Sequence, residues 1–142
     1  MLARFSLVFV GGGVGTAARY LVGLWLEGAI GGAFPFGTLA VNVVGCFLIG
    51  ALMHIGREAN RMPPSLLLML TTGFMGGFTT YSAYCWETLA FVERGAPGVA
   101  IAYVATTVIA CAAFGALGHL GARHLVKVRP PSAPSSSSSS SP

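Results

Sequence analysis

The sequence predicts an all-α membrane protein with four crossings, and three observations carry that expectation. Charged residues make up 8% of the 142-residue chain and apolar residues 54%, with a mean hydropathy of +0.75, whereas soluble domains carry about 25% charge. The apolar residues gather in runs close to the roughly 20 that a helix needs to cross a bilayer. The breaks between runs hold Gly, Pro and half of the scarce charges. The same composition argues against a disordered chain, outside the tail, and against an enzyme. Asp is absent, and one of the four acidic residues, Glu58, sits between Arg57 and Arg61 in a polar connection.

The first crossing is expected over residues 5–26. It follows a single Arg4, so a cleaved signal peptide has to be considered. Gly11, Gly12 and Gly13 interrupt the apolar run and no small-residue cleavage site precedes Arg19, which points to a retained span. The second crossing is expected over 38–55, after a connection with a Gly pair and Pro35. The third covers 66–91, after Pro63-Pro64, and the fourth 98–120, after Pro97. Residues 1–129 thus form one transmembrane unit, and 130–142 a Pro/Ser-rich tail with nothing to bury.

Four crossings put Arg4, Arg57, Arg61, Arg123, Lys127 and Arg129 on one side and Arg94 alone on the other. This bias places both termini in the cytoplasm. It also accounts for the net charge of +4, so no nucleic-acid partner is required. Cys46, Cys85 and Cys111 lie in apolar runs at no metal-ligand spacing; they read as small buried residues, one of which could serve as a weak donor. His54, His119 and His124 sit at the basic flanks and read as interfacial rather than as ligands.

Twenty glycines suit close helix packing in lipid, notably Gly11 and Gly15 on span one and Gly115 and Gly118 on span four. Four short helices leave little room for a pore within one subunit, so a dimer or larger assembly is expected. The third span reads differently. Gly76-Gly77 lowers helix propensity, and Thr79, Thr80 and Ser82 offer competing hydroxyls. These predict a helix broken around 76–80, mid-membrane, freeing carbonyls and amides at bilayer depth; an intact helix packed through its glycines is the other reading.

Polar groups within the spans also allow two readings, an interhelical hydrogen-bond seam or the lining of an ion path. They are Asn42 in the second span, Tyr81, Ser82 and Tyr84 in the third, and Tyr103, Thr107 and Cys111 at four-residue intervals in the fourth. No Lys or Arg lies at the centre of spans two to four. A permeating anion would therefore meet neutral donors and aromatic ring edges, which bind weakly enough to release it. Glu87 and Arg19 either snorkel to an interface or line a vestibule.

GGGVGTAARY over 11–20, FGTLAVNVVGCFLIG over 36–50 and GFMGGFTTYSAYCWE over 73–87 together resemble the CrcB/Fluc family of bacterial fluoride channels, in order and over nearly the whole chain except the tail. The resemblance implies four-span subunits in the bacterial inner membrane that pair antiparallel into a dimer with two pores and conduct fluoride passively out of the cytoplasm. It further implies a structural, untransported sodium at the dimer centre, held by backbone carbonyls that fall on Gly76 and Thr79. The pore amide falls on Asn42, the polar track on Tyr103, Thr107 and Cys111, and the carboxylate on Glu87. Tyr81 and Tyr84 stand where the family's pore phenylalanines are usual, and Cys111 where Ser is common. An antiparallel pair of identical chains needs a subunit that inserts both ways. The six-to-one charge bias points instead to N-in insertion beside an oppositely oriented paralogue, with self-pairing as the other form. A four-span proton-coupled drug exporter would need a carboxylate deep in span one, but Glu27 lies at its end. A non-transporting assembly subunit would not need the polar stripes.

Overall fold

The computed structural model describes residues 1–32 and 34–126; Lys127, Arg129 and the tail, 130–142, lie outside the described residues. Every regular element among the described residues is helical. Helix α1 covers Leu2–Ile30 and α2 covers Phe36–Met53, winding on into a π-helical turn over His54–Glu58. A segmented arm follows: α3 (Pro64–Leu68), a π-helical stretch (Met69–Met75), α4 (Gly76–Phe78) and α5 (Tyr81–Glu93). Helix α6 covers Pro97–Leu125.

Punctuation residues set these limits. Pro64 and Pro97 occupy first-turn positions, where the missing N–H has no intrahelical role. Gly31, at φ 64°, stops α1 while its N–H bonds back to the Glu27 carbonyl at 3.1 Å. The 29 residues of α1 make a rod of about 43 Å, longer than the ~30 Å hydrocarbon layer. The helix therefore outruns the apolar run at 5–26 at both ends. Among the described residues, three helices are long and apolar enough to cross a membrane: Leu2–Ile30, Phe36–Glu58 and Pro97–Leu125.

Where hydropathy suggests one continuous run over 66–91, the backbone is divided. Thr79 (φ −84°, ψ 157°) and Thr80 (φ −147°, ψ 120°) are extended between α4 and α5. The glycine pair stays helical, with Gly76 at φ −61°, ψ −34°. Its function in packing is visible at Gly77: a Cβ there would overlap the Gly12 carbonyl and lie 2.9 Å from Thr16 Oγ1.

Helix α6 packs along α2, and α1 packs on the π-helical stretch and α4. Small residues make both contacts possible. A Cβ on Gly118 would overlap the Phe47 carbonyl, and one on Gly50 would overlap that of Gly115, whereas one on Gly115 itself would make only ordinary contact, 3.5 Å from the Cys46 carbonyl. On α1, a Cβ on Gly11 would come within 2.6 Å of the Met69 carbonyl, and one on Gly15 would overlap that of Phe74. Tyr84, Phe91, Ala100 and Tyr103 form the core between α5 and α6, with Phe34 and Leu39 against them. Phe5, Phe9, Trp25, Trp86, Ile101 and Ile109 are exposed, an apolar surface larger than water-facing monomers present.

Candidate functional site

The extended Thr79–Thr80 pair organises the polar groups around it. In a continuous helix the Thr80 N–H would bond the Gly76 carbonyl. Here it donates to Asn42 Oδ1 at 2.8 Å, and Asn42 Nδ2 donates to the Thr80 carbonyl at 2.9 Å. Asn42 is thus a two-point clamp from α2 on one residue's backbone. Thr80 also caps α5: its Oγ1 accepts the Ala83 N–H at 3.2 Å, a bond that in an unbroken helix would reach the Thr79 carbonyl. Ser82 Oγ lies 3.2 Å from Thr80 Oγ1 and is exposed.

The carbonyls released by this arrangement differ in fate. That of Gly77 accepts from Arg19 Nε at 3.0 Å and from Thr16 Oγ1 at 3.5 Å. Those of Gly76 and Thr79 lose the N–H groups that Asn42 and Thr80 Oγ1 take. Gly76 is exposed, with nothing within 4 Å of where a Cβ would stand.

Glu87 is a second node. Thr38 donates to its Oε1 at 2.6 Å and Tyr103 to its Oε2 at 2.7 Å, so α2 and α6 both reach one carboxyl group on α5. A cleft of about 200 Å³ runs beside it, lined by Arg19, Glu27, Thr38, Thr80 and Glu87 among others. Arg19 and Glu87 both line this cleft, and Glu27 stands at the exposed end of α1.

Aromatic rings connect the two nodes. Tyr81 and Tyr84 lie with centroids 5.6 Å apart, and Tyr84 and Tyr103 5.3 Å apart. Tyr84 and Tyr103 are buried, whereas Tyr81 is 78% exposed. Thr107, one turn beyond Tyr103, is buried and its hydroxyl is unpartnered among the described residues. Cys111, a further turn on, is partly buried.

The expected residues thus separate. Asn42 meets the extended pair; Glu87, Tyr84 and Tyr103 share a second cluster; Thr107 and Cys111 continue along α6; Tyr81 and Ser82 face outward. Sequence reading missed Thr38 and the capping role of Thr80. Thr38 precedes Asn42 by one helical turn, so its place on the same face was available as a signal.

A family model described as CrcB-like protein, Camphor Resistance (CrcB), matches residues 6–119. The chain is 49% identical over 117 residues to a protein named fluoride-specific ion channel FluC from Anaeromyxobacter sp. (strain K), covering 81% of this chain and 93% of that one. It is 42% identical over 125 residues to the protein of that name from Sorangium cellulosum, covering 88% and 98%. To that from Geobacter metallireducens it is 43% identical over 114 residues, covering 80% and 92%.

Proposed function

The chain belongs to the CrcB family, and from that premise we propose that it is a fluoride-specific channel that lets fluoride leave the cytoplasm passively. It is a multi-pass membrane protein and not an enzyme. The observation that carries the reading at residue level is the line of ring edges from Tyr84 to Tyr103, continued along α6 by the hydroxyl of Thr107, which is unpartnered among the described residues. Fluoride is small and strongly hydrated, so entry requires donors that replace its water. A narrow path of uncharged donors gives it up again and excludes larger halides by size and donor placement. HF crosses membranes and ionises in a more neutral cytoplasm, trapping the anion. An inside-negative potential then drives it outward by about 2.3 kcal/mol per charge per 100 mV.

In this reading residues 1–129 are a four-span unit in the inner membrane, with termini in the cytoplasm and the segmented arm as the third crossing, broken at mid-membrane. Ion-path roles fall to Asn42, Tyr81, Ser82, Tyr84, Glu87, Tyr103, Thr107 and Cys111. Two such subunits pair antiparallel, this chain with a second copy or with an oppositely oriented paralogue. A structural sodium fits the donor set, because the Gly76 and Thr79 carbonyls are hard oxygens short of their helical partners beside an open face. The bound ion would satisfy the lone pairs of those oxygens and join the subunits. The positive end of α5 begins next to them and favours a nearby anion.

Fluoride efflux from proteoliposomes, with chloride as control, tests the function. Efflux that is selective and independent of a proton gradient is expected. Flux that follows the proton gradient, or equal chloride flux, overturns it. Cysteine accessibility at Arg57→Cys in cells tests the orientation: labelling from one face supports a paralogue partner, and equal labelling from both faces supports self-pairing.

A further inference from the structure

The end of α2 and the end of α6 meet in a cluster outside the ion path. The π-helical turn places Glu58 over His54, with Oε2 2.8 Å from His54 Nδ1. From α6, His119 Nδ1 lies 3.9 Å from Glu58 Oε1, and the two imidazole rings stand 5.3 Å apart at 89°. One ligand atom from each of the three side chains lies within 4.8 Å of the others.

His54 is 1% exposed and both of its ring nitrogens face acceptors: Glu58 at Nδ1 and the Val126 carbonyl at Nε2, 3.0 Å away. A neutral imidazole has one N–H and can satisfy only one of them. If Nε2–H donates to Val126, the Nδ1 lone pair points at a carboxylate, and either a proton on Nδ1, giving an ion pair with Glu58, or a metal cation between the two resolves the conflict. A backbone carbonyl on the remote nitrogen is the usual orienting contact of a ligating histidine. We infer that His54, His119 and Glu58 bind a divalent transition metal of the zinc type. The donor set of two imidazoles and one carboxylate suits zinc or cobalt rather than magnesium or calcium. A tetrahedral zinc holds its ligand atoms about 3.3 Å apart; His54 Nδ1 and His119 Nδ1 approach different oxygens of Glu58, at 2.8 and 3.9 Å, so the exposed Glu58 carboxylate and the His119 ring must turn to bring one oxygen and both nitrogens around a common centre. His119 and Glu58 are 35% and 51% exposed, leaving a route in and a position for water. Arg57 and Arg123 lie close along the chain and oppose a dication, whereas Glu58 supplies its negative charge. The site ties the end of α6 to the turn after α2, and it does not depend on the fluoride reading.

Cobalt titration of the purified full-length protein in detergent tests the inference. One cobalt per chain is expected, with visible absorption of a low-coordinate nitrogen and oxygen site, displaced by zinc. His119→Ala and Glu58→Gln should each weaken binding by about tenfold or more, while both variants keep wild-type gel-filtration behaviour and metal-free fluoride flux. Zinc should raise the thermal midpoint of the wild type and not of His119→Ala. No binding by the wild type, unchanged binding in both variants, or a near-ultraviolet thiolate-to-cobalt band assigning the metal to the cysteines would each overturn it.

Discussion

Replacing Asn42 with Leu removes the clamp on Thr80 while keeping similar side-chain volume. Two hydrogen bonds are lost, at 2.8 and 2.9 Å, and the Thr80 N–H and C=O are left without their partner in a partly buried site. Each unsatisfied group costs about 1–3 kcal/mol; partial burial takes the lower half of that range, so the pair should lose ~2–4 kcal/mol. The freed N–H can also return to the Gly76 carbonyl, re-forming helix and withdrawing an oxygen assigned to sodium. Asn42→Asp keeps the acceptor for the Thr80 N–H but not the donor for its carbonyl, so its loss should fall between wild type and Leu. Denaturant unfolding in micelles measures the order, and fluoride efflux from proteoliposomes gives the parallel functional loss. A side chain that touched only the ion would leave stability unchanged and abolish flux. Wild-type unfolding of Asn42→Leu would refute the clamp.

Three further outcomes follow from the same contacts. Thr107→Val removes a hydroxyl that has no partner among the described residues, so stability should hold or rise slightly while fluoride flux falls; unchanged flux would remove Thr107 from the path. Gly15→Ala would drive a methyl into the Phe74 carbonyl and should sharply reduce the yield of folded protein, whereas Gly13→Ala has open space and should gain up to about 1 kcal/mol in helix propensity, as read by thermal unfolding. Tyr103→Phe and Thr38→Val each remove one donor from Glu87. Each should cost ~0.5–1.5 kcal/mol, and the double variant should depart from the sum because both act on one carboxyl group; strict additivity in a double-mutant cycle would mean that Glu87 does not couple them.

The helical, membrane-crossing character of the chain was legible from composition alone, because each residue's transfer free energy acts locally and sums along a run. So was the close packing through Gly11, Gly15, Gly115 and Gly118, since a small residue permits backbone approach whichever helix arrives. The third apolar run was harder. Its break was expected around 76–80, and the extended residues, Thr79 and Thr80, fall at the end of that range while the Gly76-Gly77 pair stays helical. The deciding group, Asn42, is 38 positions away in sequence, and no local pattern says which backbone a distant amide will take. The same limit hid Thr38, 49 positions from its partner Glu87, and kept His54, Glu58 and His119 looking like separate interfacial residues. Composition and spacing set which segments are helices and which faces are small or polar. Which polar group meets which was decided only where the helices cross, because a hydrogen bond or a shared cation depends on a few ångströms of relative position that burial energies summed along one chain segment do not contain.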